Sequence, residues 1–356
     1  MKLFTPGPVG VNNEVLSTSK LFFHRSKDFS DIFSKLQKNL SYVFDTDDRY
    51  SNLILTGSGT MANESVVTSV LKGRRVLFLS NGLFGERLIE MAIIHHVEHE
   101  VFNANWGDIF DLKALEEKLD EFKPEYIIVV LLETSVGVVN NVKAINNLAK
   151  QYDCRIFVDA VSGLVAEELS MKELGIDVCT SVPNKAIEGI PGLSFVSIKK
   201  EIVENLIEKN SYYLDLKRYY DISIKQQTPT TPAITLFFNT NAALEQLKSE
   251  TMQTRRNRYH KNSDLVRSLA NSMGWEIFKP QDQQLAIAIS SLIVPESVDI
   301  NQLKKNLYES DIVVWSHDYQ KEDKRLNRLL QISVMGDISG NDIRNLFKQI
   351  NDFSNA

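Results

Sequence analysis

Two residues of opposite charge stand out because apolar runs surround them. Lys185 lies in the stretch 181–198. Few other charged residues stand between residue 181 and the apolar run 193–198. Asp159 lies at the end of another apolar run, 154–160. A lysine amine forms a Schiff base with an aldehyde, and a buried carboxylate keeps a neighbouring ring nitrogen protonated. Pyridoxal phosphate requires this pair, because its protonated ring acts as an electron sink.

Two further features complete the groups that this cofactor needs. Ser58, Gly59 and Thr60 open a predicted helix, whose first backbone amides can bind a phosphate. Phe84 is available to stack on the pyridine face. Taken singly, each feature is more often structural: a solvated lysine, a helix cap, a tight turn or a core phenylalanine. Their order along one predicted sheet favours a common site.

The elements that must position these residues alternate in type. Apolar runs predict buried strands, and amphipathic stretches between them predict helices. The strands are 52–57, 75–80, 126–132, 154–160 and 193–198, and the helices are 59–71, 85–96, 111–122 and 142–153. This alternation predicts an α/β fold with a mainly parallel central sheet wrapped by helices. Ligands of such sheets bind beyond the carboxyl ends of the strands, where Asp159 and the turn at 58–60 fall.

The pattern changes after about residue 240. One long helix or two in succession are predicted over 244–274. Apolar runs at 284–294, 311–316 and 328–336 and a helix near 299–309 follow. We therefore predict an N-terminal segment near the active site (1–20), a large cofactor-binding domain (21–245) and a smaller C-terminal α+β domain (246–356).

Composition excludes several classes of protein. The chain has 356 residues and a net charge of −6, which gives no basic field for nucleic acid or membrane surfaces. Its two cysteines, Cys154 and Cys179, provide neither a disulfide framework nor a metal-ligand spacing. The N-terminus lacks the apolar region of a signal peptide, and no run is long enough to span a membrane. We expect a cytoplasmic protein without a metal ion.

The motifs together resemble one enzyme family, the class V branch of the fold-type I aminotransferases. This branch includes 2-aminoethylphosphonate–pyruvate transaminase and the alanine– and serine–glyoxylate aminotransferases. The motifs that carry the resemblance are "FTPGPV", "YSNLILTGSGT", "SNGLFGER", "VDAVSG", "NKAIEGIPG" and "QQTPTTPA". The resemblance implies transfer of an amino group, with pyridoxal 5′-phosphate, from a small donor such as 2-aminoethylphosphonate, alanine or serine. The acceptor would be a small 2-oxo acid or aldehyde such as pyruvate or glyoxylate.

The resemblance also implies a role for each matching residue. Lys185 matches the Schiff-base lysine and Asp159 the partner of the pyridine nitrogen, both catalytic. The matching cofactor-binding residues are Ser58, Gly59, Thr60 and Asn184 near the phosphate, Phe84 on the ring face, and Thr134 near the ring oxygen. Thr228 matches a phosphate ligand from the other subunit, which implies a homodimer with shared active sites.

One departure concerns the substrate. The family's small domain usually carries an arginine that binds the substrate's anionic group, and Gln331 stands at that position here. Either Arg25 or the backbone around Gly7 holds the anion instead, or the amino partner is not a simple 2-oxo acid. On this reasoning Gln331, Arg25 and Gly7 are candidate substrate residues.

Three alternatives remain at this point. A class V lyase or desulfurase is disfavoured because both cysteines fall near predicted strands rather than on a mobile loop. A catalytically inactive regulatory relative is disfavoured because Lys185 and Asp159 are both present. A nucleotide-binding protein is disfavoured because "GSGTMANES" lacks the lysine of a P-loop and the third glycine of the dinucleotide motif.

Overall fold

The computed structural model describes residues 1–18, 20–207, 209–279, 285–317 and 319–354. The strands are β1 (Lys2–Leu3), β2 (Tyr50–Thr56), β3 (Val76–Ser80), β4 (His99–Asn103), β5 (Tyr126–Val130), β6 (Leu132–Glu133), β7 (Val138–Val139), β8 (Arg155–Asp159), β9 (Val178–Ser181), β10 (Leu193–Lys199), β11 (Glu276–Ile277), β12 (Ile289–Ile293), β13 (Ile312–Val313), β14 (Trp315–Ser316) and β15 (Leu329–Ser333).

The helices surround these strands. They are α1 (Asn13–Ser17), α2 (Lys27–Phe44), α3 (Gly59–Val66), α4 (Leu83–Ile94), α5 (Leu112–Phe122), α6 (Val142–Gln151), α7 (Met171–Leu174), α8 (Lys200–Val203), α9 (Leu216–Ser223), α10 (Ile234–Glu250), α11 (Met252–Ser272), α12 (Ile300–Glu309) and α13 (Gly340–Ser354). A π-helical turn (Val67–Leu71) extends α3, and a 3-10 turn (Leu326–Arg328) precedes β15. None of the helices within the described ranges combines the length and apolar character needed to cross a membrane.

The central sheet has seven strands in the order β2-β10-β9-β8-β5-β3-β4. Strand β10 is antiparallel to both neighbours, and the other pairs run parallel, so the prediction of a mainly parallel sheet is confirmed. The exception has a physical cause. Residues 182–192 between β9 and β10 form a loop without a crossover helix, which a parallel return requires.

Both faces of this sheet are covered. Along β3, Leu77 and Leu79 belong to one apolar core, while Val76 and Phe78 belong to a second core on the opposite face. Neighbouring strand residues point to opposite faces, so each apolar run supplies both cores at once. This explains why the buried strands read as continuous apolar runs. Strands β4 and β9 were not predicted, because β4 is polar and half exposed and β9 has four residues.

A second, four-stranded antiparallel sheet has the order β11-β12-β15-β14. Strand β1 pairs in parallel with β13, so the start of the chain joins this C-terminal region. The helical stretch 244–274 is two helices, because Thr251 between them has a φ of +71°. The boundary predicted between residues 245 and 246 falls inside α10. The division into domains stays a prediction.

Candidate active site

Lys185 lies in the loop 182–192, which we call the lysine loop, directly after β9. Gly7 has a φ of +138°, and a Cβ built on it would lie 2.5 Å from Lys185 Cδ and 2.8 Å from Nζ. The backbone of the N-terminal segment therefore packs directly on the lysine side chain, and only glycine fits there. Burial lowers the pKa of Lys185 to about 8; the nearby Asp159 charge opposes this shift and that of Arg87 adds to it.

Asp159 ends β8 at the carboxyl edge of the sheet and is 4% exposed. Its Oδ1 accepts a hydrogen bond from Val161 N at 2.9 Å, and its Oδ2 accepts one from Asn63 Nδ2 at 2.7 Å. Thr180 Oγ1 donates to Asn63 Oδ1 at 2.6 Å, which fixes the orientation of the amide. Burial raises the pKa of Asp159, and these hydrogen bonds and the charge of Lys185 act in the opposite direction.

Asn63 and Thr180 were missed by the sequence reasoning. Asn63 lies four residues after Gly59, on the same face of α3, and this spacing was the available signal. Thr180 pairs with Asp159 across β8 and β9, a register that the sequence did not reveal.

The predicted phosphate turn lies at the start of α3. Ser58 and Thr60 are exposed, whereas Gly59 is buried, with its Cβ position 2.9 Å from the side-chain methyls of Val161. The first turn of α3 is thus held close to the loop that follows Asp159. The Ser58 side chain makes no capping hydrogen bond to α3. Asn184 is half-buried next to Lys185.

Phe84 is half-buried at the start of α4, and Glu133 sets its position. Phe84 N and Gly85 N donate to Glu133 Oε2 at 3.1 and 3.2 Å, and Leu83 N donates to Ser135 Oγ at 3.1 Å. Glu133 is fully buried, and burial raises its pKa to about 7. This carboxyl group, which the sequence reasoning did not single out, joins the start of α4 to the loop that carries Thr134.

Gln331 is bonded to other protein groups, and its expected role toward a substrate stays a prediction. It lies in the middle of β15 with 0% exposure, and its amide nitrogen donates to the backbone carbonyl of Thr134. The same nitrogen lies 3.4 Å from Ser291 Oγ, and Gln331 Oε1 lies 3.3 Å from His317 Nε2. Gln331 therefore connects the smaller sheet to the Thr134 loop instead of presenting a free amide to a substrate. Thr134 itself is buried.

Arg25 and Thr228 contact each other. Arg25 is exposed, and its Nη1 donates to Gln227 Oε1 and to the carbonyl of Thr228, both at 3.0 Å. Thr228 is 4% exposed, and its hydroxyl donates to the carbonyl of Thr230 at 2.8 Å. The expected role of Thr228 toward a partner subunit stays a prediction.

Side chains of helix α11 form hydrogen bonds with the lysine loop. Arg255, which is 2% exposed, donates to the carbonyls of Ala186 and Ile187, both at 3.1 Å. Arg258 Nη2 and Tyr259 Oη donate to Glu188 Oε1 at 2.8 and 2.6 Å. The sequence did not indicate these contacts, because α11 is about 70 residues away from the lysine loop in the chain. Its charged residues also resemble those of an ordinary helix exposed to solvent.

The seven-stranded sheet and the smaller sheet have the arrangement of the fold-type I aminotransferases. The chain belongs to the class V aminotransferase family, whose family model matches residues 12–318. An uncharacterized aminotransferase of Methanocaldococcus jannaschii is 30% identical over 312 residues, covering 85% of this chain and 80% of that protein. The 2-aminoethylphosphonate–pyruvate transaminase of Bacillus cereus is 29% identical over 361 residues, covering 98% and 96%.

A solved structure agrees on the fold. The alanine–glyoxylate aminotransferase of Nostoc sp. superposes with a TM-score of 0.90 at 22% identity, covering 99% of this chain and 94% of that one. The predicted α/β fold and the family resemblance are confirmed.

Proposed function

We propose that this protein uses pyridoxal 5′-phosphate to move an amino group from a small donor to a small 2-oxo acid or aldehyde. The donor is 2-aminoethylphosphonate-, alanine- or serine-like, and pyruvate and glyoxylate are candidate acceptors. The observation that carries the proposal is the buried carboxylate of Asp159 at the carboxyl edge of the sheet, together with Lys185 packed under the backbone of Gly7 at the same edge. Membership of the class V family supports the same reaction type.

The residues present fit this cofactor. Asp159 is a buried carboxylate whose two oxygens accept hydrogen bonds only from the uncharged N–H groups of Val161 and Asn63, within the described chain. A buried carboxylate of this kind lacks a directly bonded cation, and a protonated pyridine nitrogen would provide one. The first turn of α3 offers backbone N–H groups for a phosphate, and Phe84 offers a ring face.

Each residue then has a defined task. Lys185 would hold the aldehyde carbon, Asp159 the ring nitrogen, and residues 58–60 the phosphate. The bound cofactor supplies an electron sink for the substrate's α carbon. Because burial lowers its pKa to about 8, Lys185 Nζ is neutral near neutral pH far more often than an exposed lysine, and the neutral amine can take the α proton. The hydrogen bond from Asn63 favours the ionised form of Asp159. The backbone of Gly7 packs on Lys185 and limits the access of water to its amine.

A lyase or desulfurase receives no support from the cysteines. Cys179 is fully buried, and burial raises the pKa of Cys154 to about 12. Neither is a thiolate nucleophile on an open loop. A cofactor-binding protein without activity would need the same Lys185, so the experiment below must separate binding from turnover.

We also infer a homodimer in the cytoplasm. Leu21 and Phe23 are 82% and 67% exposed, and the adjoining Arg25 contacts the segment that follows the exposed Ile224. These two segments form a common surface with large apolar side chains, which a second copy of the chain would cover. The cytoplasmic location rests on the sequence features given above.

Reduction with borohydride tests the proposal directly. Peptide mapping of the reduced holoenzyme is expected to find the pyridoxyl group on Lys185, and Lys185→Ala should lose both the visible absorption band and transamination. Spectral conversion by 2-aminoethylphosphonate, alanine or serine distinguishes an enzyme from a binder and identifies the donor. Labelling at another lysine, or an unchanged absorption band with every donor, would contradict the assignment.

A further inference from the structure

The usual position for binding the substrate's anion is not cationic in this chain. Gln331 occupies it, and its buried amide is already bonded to the Thr134 carbonyl. Arginines near it in sequence are also engaged: Arg328 donates to the carbonyls of Val294, Pro295 and Val298, and Arg325 pairs with Asp323. Another group must bind the substrate if the substrate carries a negative charge.

Arg87 is the cation that meets this requirement. It lies on α4 one turn after Phe84, and its guanidinium carbon is 4.8 Å from the centroid of the Phe84 ring. Within the described chain, Arg87 makes no ion pair or side-chain hydrogen bond. Its charge lowers the pKa of both Lys185 and Asp159, although burial is the main influence on each, so it acts within electrostatic range of the two catalytic groups.

A second donor comes from the C-terminal region. Tyr319 stacks on His317 with ring centroids 4.3 Å apart and meets Trp106 edge-on at 4.7 Å. The Tyr319 hydroxyl is buried and has no hydrogen-bond partner among the described residues. Burial, with smaller effects from Glu133 and Glu86, raises the pKa of Tyr319, so the phenol stays a neutral donor.

The segment 319–321 also contacts Glu86, the residue that precedes Arg87. Lys321 Nζ and Trp106 Nε1 both donate to Glu86 Oε1, at 3.3 and 2.6 Å, and Lys321 Nζ lies 3.7 Å from the centroid of the Trp106 ring. These contacts hold the phenol of Tyr319 at the start of α4. The unpaired guanidinium of Arg87 and the unused hydroxyl of Tyr319 therefore lie near each other at the start of α4, within electrostatic range.

We propose that Arg87, assisted by the Tyr319 hydroxyl, binds the anionic group of the substrate in place of the arginine absent at position 331. The ligand class is a small carboxylate or phosphonate. A planar guanidinium makes two parallel hydrogen bonds to such a group, and stacking on Phe84 preorganises it. The inference rests on the proposed function for the identity of the reaction, but the anion site can be measured without turnover.

The experiment measures the dissociation constants of two unreactive probes, propionate and ethylphosphonate, by calorimetry on the cofactor-loaded enzyme. Arg87→Gln is expected to weaken the preferred probe ten- to a hundredfold, and Arg87→Lys is expected to recover part of the loss. Tyr319→Phe should weaken it three- to tenfold. The exposed Arg75 before β3, at the opposite edge of the sheet, provides the matched control Arg75→Gln, which should bind as wild type.

Each result has a defined meaning. Preference for propionate assigns a carboxylate substrate, and preference for ethylphosphonate assigns a phosphonate. Wild-type affinity in Arg87→Gln, or binding of neither probe by the wild type, would overturn the proposal, as would loss of the cofactor from Arg87→Gln. If the probes bind through Arg87 but no amino donor converts the cofactor, the anion site stands and the proposed function fails.

Discussion

Replacing Asn63 with leucine should weaken cofactor binding without greatly changing side-chain volume. Asn63 donates to Asp159 Oδ2 at 2.7 Å inside the protein, where Asp159 is 4% exposed. A hydrogen bond to a charged acceptor stabilises by about 1.5–3 kcal/mol, and one pKa unit corresponds to about 1.4 kcal/mol. The loss of this donor should therefore raise the pKa of Asp159 further.

The consequence has a definite sign. Asp159 binds a protonated ring nitrogen only as a carboxylate, and a higher pKa makes it protonate sooner as the pH falls. The acidic limb of the activity profile should move to higher pH, and affinity for pyridoxal phosphate should fall about ten- to a hundredfold. Equilibrium titration of the apoenzyme with the cofactor across pH measures both effects.

The control is a second buried asparagine. Asn39 Nδ2 donates to Asn241 Oδ1 at 2.9 Å and to Glu245 at 2.6 Å, and Asn39→Leu should lower stability without changing cofactor affinity. Because Asn63→Leu also removes the acceptor of the Thr180 hydroxyl, the double variant with Thr180→Val separates this loss of stability from the effect on Asp159. Unchanged cofactor affinity and an unchanged acidic limb in Asn63→Leu would refute the role of Asn63.

Two further predictions concern Lys185 and its support. In the apoenzyme, the rate at which Lys185 reacts with pyridoxal phosphate should rise with pH around a midpoint near 8, because only the deprotonated amine reacts. Asp159→Asn should move this midpoint to lower pH, because the charge of Asp159 raises the pKa of Lys185. A midpoint near 10.5 would contradict the role of burial. Arg255→Met should lower the free energy of unfolding in urea by about 3–5 kcal/mol, because it removes the ion pair with Glu250 and leaves the buried carbonyls of Ala186 and Ile187 without their donor. Arg325→Met, which breaks an exposed pair, should cost less than about 1 kcal/mol, and equal losses would contradict this reasoning.

The sequence by itself predicted most strands of the central sheet and the candidate catalytic pair, Lys185 and Asp159. Strand and helix periodicity are local properties, and the rule that ligands bind beyond the carboxyl ends of parallel strands placed Asp159 and the turn at 58–60 at one edge. Lys185 needed only its position before an apolar run and the family motif around it. Each of these inferences uses residues that are close together in the chain.

Only the tertiary structure decided which polar groups complete the site. Asn63 reaches Asp159 across 96 positions of sequence, and Gln331 reaches Thr134 across 197. The antiparallel direction of β10, the burial of Gln331 and the approach of Tyr319 to the start of α4 also depend on how distant segments pack. A hydrogen bond or a charge interaction requires that two groups lie close together in space. A single sequence does not show which residues of distant segments face each other.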